Sequence, residues 1–134
     1  MSEKRELLNF IDGAFVPAKS GAWLDDIGPA TNTPIARIPR SSASDVHDAV
    51  KAANAAFQGE WASWNRLQRA DLLEAIADEI AKRAPEIAHA ESLDTGKPIS
   101  LASTVDIPRS ESNFRFFAGA VRHDETAFHG MQGA

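Results

Sequence analysis

The hydrophobic pattern of the chain changes once, at about Ser44, and this change constrains the fold more than any other feature. Before it, short apolar segments alternate with glycine and proline, a pattern typical of short strands and turns. After it, apolar residues recur every three or four positions, as in amphipathic helices. The 134 residues suffice for about one domain. We therefore predict a single α+β unit over 1–134, with strands at about 8–39, three to four helices at about 44–122 and an irregular tail at 123–134.

The strand region contains three extended segments. The first, at 9–16, includes Asp12-Gly13, a dipeptide that readily supplies the positive φ angles of a type I′ hairpin turn. The second covers 22–27. The third, at 34–39, has a proline at each end and is expected to be a short or edge strand, because proline cannot donate an N–H group. Residues 1–7 are polar and are expected to be frayed.

The helix boundaries follow from capping residues and from proline. Ser44 is the expected N-cap of the first helix, and Gly59 is expected to end it. A longer helix is expected from about Leu67, with a kink or a restart at Pro85 in the first helical position. The last helix is expected to begin at about Asp106, as an acidic N-cap, and to run towards residue 121.

Composition excludes several kinds of function. The chain has no cysteine, so it cannot form disulfides, thiolate metal sites or a cysteine nucleophile. The net charge is −5, which disfavours nucleic acid and anionic membranes as partners. No run of about 18 apolar residues and no secretory signal are visible, so we expect a cytoplasmic location and no membrane association. A Gly-x-Gly-x-x-Gly dinucleotide fingerprint is also absent from the sequence.

Five segments nevertheless occur in an order and spacing that identify a family. They are Asn9–Gly13, Gly28–Thr31 with Ile35–Pro39, Asp45–Phe57, Glu91–Pro98 and Asn113–Gly119. Together they resemble the N-terminal part of the aldehyde dehydrogenase superfamily, whose members oxidise aldehydes with NAD or NADP. One departure is Gly28, where the family usually has asparagine. The sequence around Arg109, Asp-Ile-Pro-Arg-Ser, is most similar to the branch that oxidises muconic semialdehydes.

The resemblance implies a subunit several times longer, with a Rossmann-type cofactor domain, a catalytic domain and an oligomerisation domain. The family uses a cysteine thiolate to attack the aldehyde, an oxyanion site and a glutamate that activates water, all beyond the segment that this chain matches. No catalytic or cofactor-binding residue is therefore expected in this chain, which alone should neither bind NAD or NADP nor turn over substrate. The complete enzyme is expected to be a homo-oligomer that binds a small aldehyde, such as 2-hydroxy- or 2-aminomuconate semialdehyde.

The resemblance also implies a monovalent cation site for Na⁺ or K⁺. In the family, main-chain carbonyls just before the Pro-Ala-Thr segment and the aspartate of Leu-Asp-Thr-Gly-Lys-Pro hold the ion. The matching positions here are Asp26, Ile27 and Asp94. Oxygen ligands of this kind suit hard cations. A further ligand comes in the family from a segment that this chain lacks, and the alternative is that Asp94 only stabilises its own turn.

Arg109 is the expected substrate-binding residue. In the family its helix borders the substrate tunnel, and an arginine there suits a substrate that carries a carboxylate, because the guanidinium group can pair with two oxygens. The alternative is a surface arginine, or one that pairs with Asp106 or Glu111.

Two functions remain open at this point. The chain is either an N-terminal fragment of an aldehyde dehydrogenase, inactive alone, or a stand-alone interaction or oligomerisation module derived from that family. The first predicts exposed apolar faces and self-association of the isolated chain, whereas the second predicts a well-behaved monomer or defined oligomer.

Overall fold

A computed structural model describes residues 5–123, and the predicted tail beyond His123 lies outside these residues. The described part is α+β, as expected. The strands are β1 (Arg5–Glu6), β2 (Asn9–Ile11), β3 (Ala14–Val16), β4 (Trp23–Gly28) and β5 (Thr33–Pro39). The helices are α1 (Ala43–Gln58), α2 (Glu60–Ser63), α3 (Arg66–Lys82), α4 (Ala84–Thr95), α5 (Ile99–Leu101), a π-helical turn (Ala102–Asp106) and α6 (Ile107–His123).

The predicted hairpin is confirmed. Strands β2 and β3 pair antiparallel, and the turn between them is formed by Asp12 with a φ of 52° and Gly13 with a φ of 77°. Positive φ at both central residues is the requirement of the type I′ turn that Asp-Gly favours. The local sequence alone was therefore sufficient to place this turn.

The position of β5 corrects two expectations. In the three-stranded sheet the order is β1-β5-β4, so β5 is the central strand rather than an edge strand. Its prolines are tolerated because β1 pairs only with Ala36 and Arg37, away from Pro34 and Pro39 at the strand ends. Strand β1 lies within the segment that was expected to be frayed, and it pairs parallel to β5.

The start of α1 corrects the predicted N-cap. The cap is Ser42, two residues before Ser44, because the carboxylate of Asp45 accepts hydrogen bonds of 2.7 Å from both the backbone N–H and the hydroxyl group of Ser42. The bond from the backbone N–H of the cap to the side chain of the third helical residue is one half of a capping box. Gly59 ends α1, as predicted.

The chain restarts at Pro85, as expected. Helix α3 ends at Lys82 and α4 begins at Ala84, which places Pro85 in the second rather than the first helical position. The missing N–H of proline costs nothing there, because the first turn of a helix has no internal acceptors for its N–H groups. Helix α3 begins at Arg66, one residue earlier than predicted, with Asn65 as its N-cap.

Asp106 does not cap a helix, contrary to expectation. The chain stays helical from Ile99 to His123, and Asp106 is the last residue of the π-helical turn. Pro108 favours this turn, because it cannot donate to the carbonyl of Thr104 and its ring would crowd that carbonyl in a regular α-helix. A wider turn relieves the crowding without ending the helix.

The core of the described residues is thin. Its buried hydrophobic residues are Ile107 and seven alanines: Ala18, Ala36, Ala70, Ala77, Ala88, Ala102 and Ala118. Helices α3 and α6 pack against each other, and Ala88, Ala102 and Ile107 form one buried cluster where α4 meets the π-helical turn. By contrast, apolar side chains that recur at three- and four-residue spacing on α1 are exposed, including Val46, Val50 and Phe57.

Among the residues that the structure describes, no helix is long and apolar enough to cross a bilayer.

Candidate functional site

Two turns that are far apart in sequence meet at the edge of the sheet. The first follows β4 and contains Pro29, and the second follows α4 and contains Gly96, which has a φ of 74° and caps that helix. A Cβ atom at Gly96 would lie 2.9 Å from the Cγ atom of Pro29, closer than such atoms approach in proteins. Gly96 therefore serves both the helix stop and the close contact of the two turns.

A cavity of about 410 Å³ lies next to these turns, between the sheet and α4. Its walls are mostly apolar and are formed by Leu7, Ile35, Ala36, Ile87, Ala90 and Leu93, together with the polar residues Arg5, Asp26, Glu91 and Asp94. The structure thus brings two of the three proposed cation ligands, Asp26 and Asp94, to one cavity.

The third position, Ile27, lies at an irregularity of the β4–β5 ladder. Asp26 pairs with Ala36 and Ile27 pairs with Pro34, so that Ile35 is an extra residue on β5. Because Pro34 has no N–H group, the carbonyl of Ile27 cannot accept a ladder hydrogen bond from its register partner. The side chain of Ile27 is exposed and does not belong to the cavity wall.

Side chains alone do not complete a metal centre in this region. Within residues 5–123 no group of three or more His, Cys, Asp or Glu side chains is arranged to hold a metal ion. Glu91 is occupied, since the Nζ atom of Lys97 lies 2.8 Å from its Oε1 atom. An ion here would depend on Asp26, Asp94 and main-chain carbonyls, which is the donor set of a weak monovalent site.

Lys97 is a site residue that the sequence analysis missed. Its Nζ atom also lies 2.8 Å from the Oδ2 atom of Asp106, so it joins α4 to the π-helical turn. Hydrogen bonds to Asp106 and Glu91 raise the pKa of Lys97 above its usual value. Its place within Thr-Gly-Lys-Pro was the available signal, but its two acidic partners could not be chosen from the sequence.

Arg109 lies outside the cavity, on the exposed side of α6. Asn113 and Phe116 follow it at four and seven positions and therefore share its face. The rings of Phe116 and Phe117 are 5.3 Å apart, edge to face, and both are largely exposed. A cationic residue thus stands beside an uncovered aromatic surface.

The alternative partners of Arg109 are engaged elsewhere. Asp106 pairs with Lys97, and Glu111 pairs with Arg115 at 3.0 Å. Within residues 5–123 Arg109 forms no ion pair of its own. The guanidinium group is therefore available for an acidic group that these residues do not supply.

Comparisons with known proteins show which family this chain is similar to. The model of the aldehyde dehydrogenase family matches residues 15–133. The chain is 43% identical over 122 residues to 2-hydroxymuconic semialdehyde dehydrogenase of Pseudomonas sp. (strain CF600), covering 91% of this chain and 25% of that protein. It is 44% identical over 117 residues to 2-aminomuconic semialdehyde dehydrogenase of Homo sapiens, covering 87% of this chain and 23% of that protein.

Solved structures give the same result. The NAD-dependent aldehyde dehydrogenase from Sinorhizobium meliloti matches with a TM-score of 0.89 and 34% identity, over 98% of this chain and 26% of that one. An NAD⁺ complex of aldehyde dehydrogenase from Bacillus cereus matches with a TM-score of 0.80 and 36% identity, over 87% of this chain and 24% of that one. The chain spans about a quarter of the length of the relatives it matches, in their N-terminal part. Its sequence and its fold place it in the aldehyde dehydrogenase family.

Proposed function

We propose that this chain is the N-terminal scaffold of an NAD(P)-dependent aldehyde dehydrogenase that oxidises an acidic semialdehyde to a carboxylate. The observation that carries the proposal is the similarity, over about nine tenths of the chain, to dehydrogenases named for 2-hydroxy- and 2-aminomuconic semialdehyde. Both names denote aldehydes that also carry a carboxylate. The proposal includes that the complete enzyme assembles as a homo-oligomer and is located in the cytoplasm.

The chemical step is assigned to the rest of such an enzyme. This chain contains no cysteine, and therefore no thiol nucleophile, and its sequence lacks the glycine fingerprint of a dinucleotide-binding turn. In a complete enzyme a bound nicotinamide cofactor would supply the acceptor for hydride, outside this chain. This chain supports the catalytic domains and forms part of the surface that binds the substrate.

Arg109 is proposed to bind the substrate carboxylate. Its guanidinium group is exposed and has no ion-pair partner among residues 5–123, and its planar fork matches two carboxylate oxygens. Phe116 and Phe117 add an aromatic surface for an unsaturated carbon chain. The arrangement would therefore favour an acidic aldehyde over a neutral one of similar size.

A chimera tests this function. Residues 1–123 of this chain replace the matching segment of the Pseudomonas relative, and NAD reduction is measured with an acidic semialdehyde and with a neutral aldehyde. We expect Arg109→Met to lower kcat/KM for the acidic substrate about 10- to 100-fold, the effect of one lost charged hydrogen-bonded pair, and the value for the neutral one by less than about twofold. Arg109→Lys should recover part of the loss.

The matched control is Arg83→Met, which removes an exposed arginine that pairs only within its own helix segment, with Glu86. This variant should not change the preference for the acidic substrate. Equal losses on both substrates for Arg109→Met would contradict the carboxylate-binding role, and a folded but inactive chimera would contradict the scaffold role.

We also propose that Asp26, Ile27 and Asp94 take part in holding Na⁺ or K⁺. The proposal is supported by the shared cavity of the two aspartates and by the proline opposite Ile27. A ligand that binds only the folded chain raises its Tm. We expect NaCl or KCl to raise the Tm more than choline chloride at equal ionic strength, by about 1–3 °C at saturation.

Asp94→Ala should remove this specific difference. Asp48 on α1, whose partly exposed carboxylate pairs with Lys19, offers the control Asp48→Ala, which should retain this difference. If the original chain and Asp94→Ala respond equally to Na⁺ and K⁺, the cation site is excluded and Asp94 acts only within its turn.

A further inference from the structure

The π-helical turn determines which side of α6 faces the core. Ala102 and Ile107 are five positions apart, and both are buried, at 0% and 6% exposure. In a regular α-helix, residues five apart point about 140° away from each other. Here the backbone N–H of Ile107 donates to the carbonyl of Ala102, and this i→i−5 bond brings both side chains to the same side.

The direction of Arg109 depends on this wide turn. Because Ile107 is held inward, Arg109, two residues later, points to the opposite side of α6, where it is exposed. If the wide turn closed to a regular α-helical turn, the residues after it would rotate by about 100° relative to those before it. Arg109 and Phe116, which both follow the turn, would then rotate together away from the exposed side that they now occupy.

One side chain ties the end of the wide turn to the neighbouring helix. Lys97 lies just after α4, and its Nζ atom contacts Glu91 of α4 and Asp106 of the wide turn, each at 2.8 Å. All three side chains are about one third exposed, so water screens the contacts less than at an open surface. Asp106 precedes Ile107, the residue that closes the wide turn.

We propose that Lys97 is a positioning residue for substrate selection: by holding Asp106, it keeps the π-helical turn open and so holds Arg109, together with Phe116, on the exposed side of α6. The role of Lys97 in substrate selection rests on the proposed function, whereas its role in keeping the π-helical turn open does not. Lys97 itself contacts no substrate. It acts only through Asp106 and the turn.

The first experiment measures the turn in the 134-residue chain itself. Amide hydrogen exchange is followed in the original chain, Lys97→Met and Lys97→Arg. We expect Lys97→Met to speed the exchange of the Ile107 amide about tenfold or more, a local opening confined to residues near the turn. Lys97→Arg should restore most of the protection. If Ile107 keeps its protection in Lys97→Met, or if exchange rises equally throughout the chain, Lys97 does not hold the turn.

The second experiment measures selection in the chimera described above. Lys97→Met and Asp106→Asn should each raise KM for the acidic semialdehyde about tenfold, since a misdirected arginine loses its alignment with the carboxylate, and leave KM for the neutral aldehyde within about twofold. Asp71→Asn is the control, because it breaks the contact of Arg122 at the far end of the same helix. That variant should not change the KM ratio.

The two experiments separate the possible failures. If Arg109→Met leaves the preference for the acidic substrate unchanged, Arg109 does not select the substrate, and this part of the proposed function is wrong. The hydrogen-exchange experiment alone then tests whether Lys97 holds the π-helical turn. If Arg109→Met removes the preference but Lys97→Met leaves it intact, Arg109 selects the substrate and the positioning role of Lys97 is wrong.

Discussion

Asp45 links three donors from two separate segments of the chain. It is buried at 4% exposure, and its carboxylate accepts hydrogen bonds from the backbone N–H and hydroxyl groups of Ser42 and from the backbone N–H of Lys19 at 2.9 Å. These bonds, the one from the Ser42 backbone first, lower the pKa of Asp45 to about 2. The residue therefore joins the start of α1 to the segment between β3 and β4.

This pKa predicts how stability depends on pH. Because the folded pKa lies below the unfolded value, the contribution of Asp45 is complete above about pH 4 and is lost as pH falls towards 2. We expect the Tm of the original chain to fall through this range more steeply than that of Asp45→Asn. Thermal unfolding at a series of pH values measures the difference, with Asp71→Asn, an exposed carboxylate away from this site, as control. Parallel curves for the original chain and Asp45→Asn would contradict the assignment.

Some residue roles could be inferred from the sequence and others could not. The residue types of Asp12 and Gly13 favour the positive φ angles that the turn needs, so the predicted hairpin was correct. The N-cap was wrong, because Ser42 and Ser44 are equally suitable by type, and only the contact with Asp45 selects Ser42. The two partners of Lys97 are likewise decided by tertiary packing rather than by spacing.

At the scale of elements, α3 and α6 are joined by charged side chains. Arg115 on α6 contacts Glu74 at 3.0 Å and Asp78 at 2.9 Å on α3, as well as Glu111 on its own helix. Hydrogen bonds to Asp78, Glu111 and Glu74 raise the pKa of Arg115, which stays charged throughout the accessible pH range. A cluster of this kind contributes more than an isolated surface pair.

We expect Arg115→Met to lower the Tm at least about twice as much as Arg83→Met, which removes a single pair within one helix segment. Since the cluster is partly exposed, the difference should shrink when NaCl is raised from 0.05 M to 0.5 M. Thermal unfolding at the two salt concentrations is the measurement. Equal Tm changes for both variants would show that the cluster does not hold the two helices together.

Two elements departed from expectation for a shared physical reason. The central position of β5 in the sheet depends on β1, a two-residue strand about thirty positions away that no local sequence pattern predicts. The π-helical turn depends on the burial of both Ala102 and Ile107, whereas the local sequence allowed Pro108 to sit in the first turn of a new helix. In both cases a contact between residues far apart in the sequence determined the structure, although the local sequence pattern favoured a different one.

For the whole molecule, the distribution of apolar side chains is the main feature. Among residues 5–123 the buried hydrophobic side chains are alanines and one isoleucine, while Phe10, Phe15, Phe57, Phe116 and Phe117 are each more than half exposed. Exposed apolar surface on this scale is typical of faces that pack against other protein. The family resemblance supplied this expectation, since composition alone is that of an ordinary globular chain.

We therefore expect the isolated chain to self-associate at micromolar concentration and to unfold with low cooperativity. Sedimentation velocity over a concentration series, combined with thermal unfolding, measures both properties. Phe116→Ser with Phe117→Ser should reduce the association. A monodisperse monomer or single defined oligomer with a two-state transition would instead favour the stand-alone interaction module.

The central claim is that this chain supports an aldehyde dehydrogenase whose reacting groups lie outside it. NAD reduction in the presence of a muconic semialdehyde tests it most directly, measured side by side for the pure 134-residue chain and for the chimera with the Pseudomonas relative. The account predicts turnover by the chimera and none by the chain alone. Reduction of NAD by the chain alone, which has no cysteine, would contradict it.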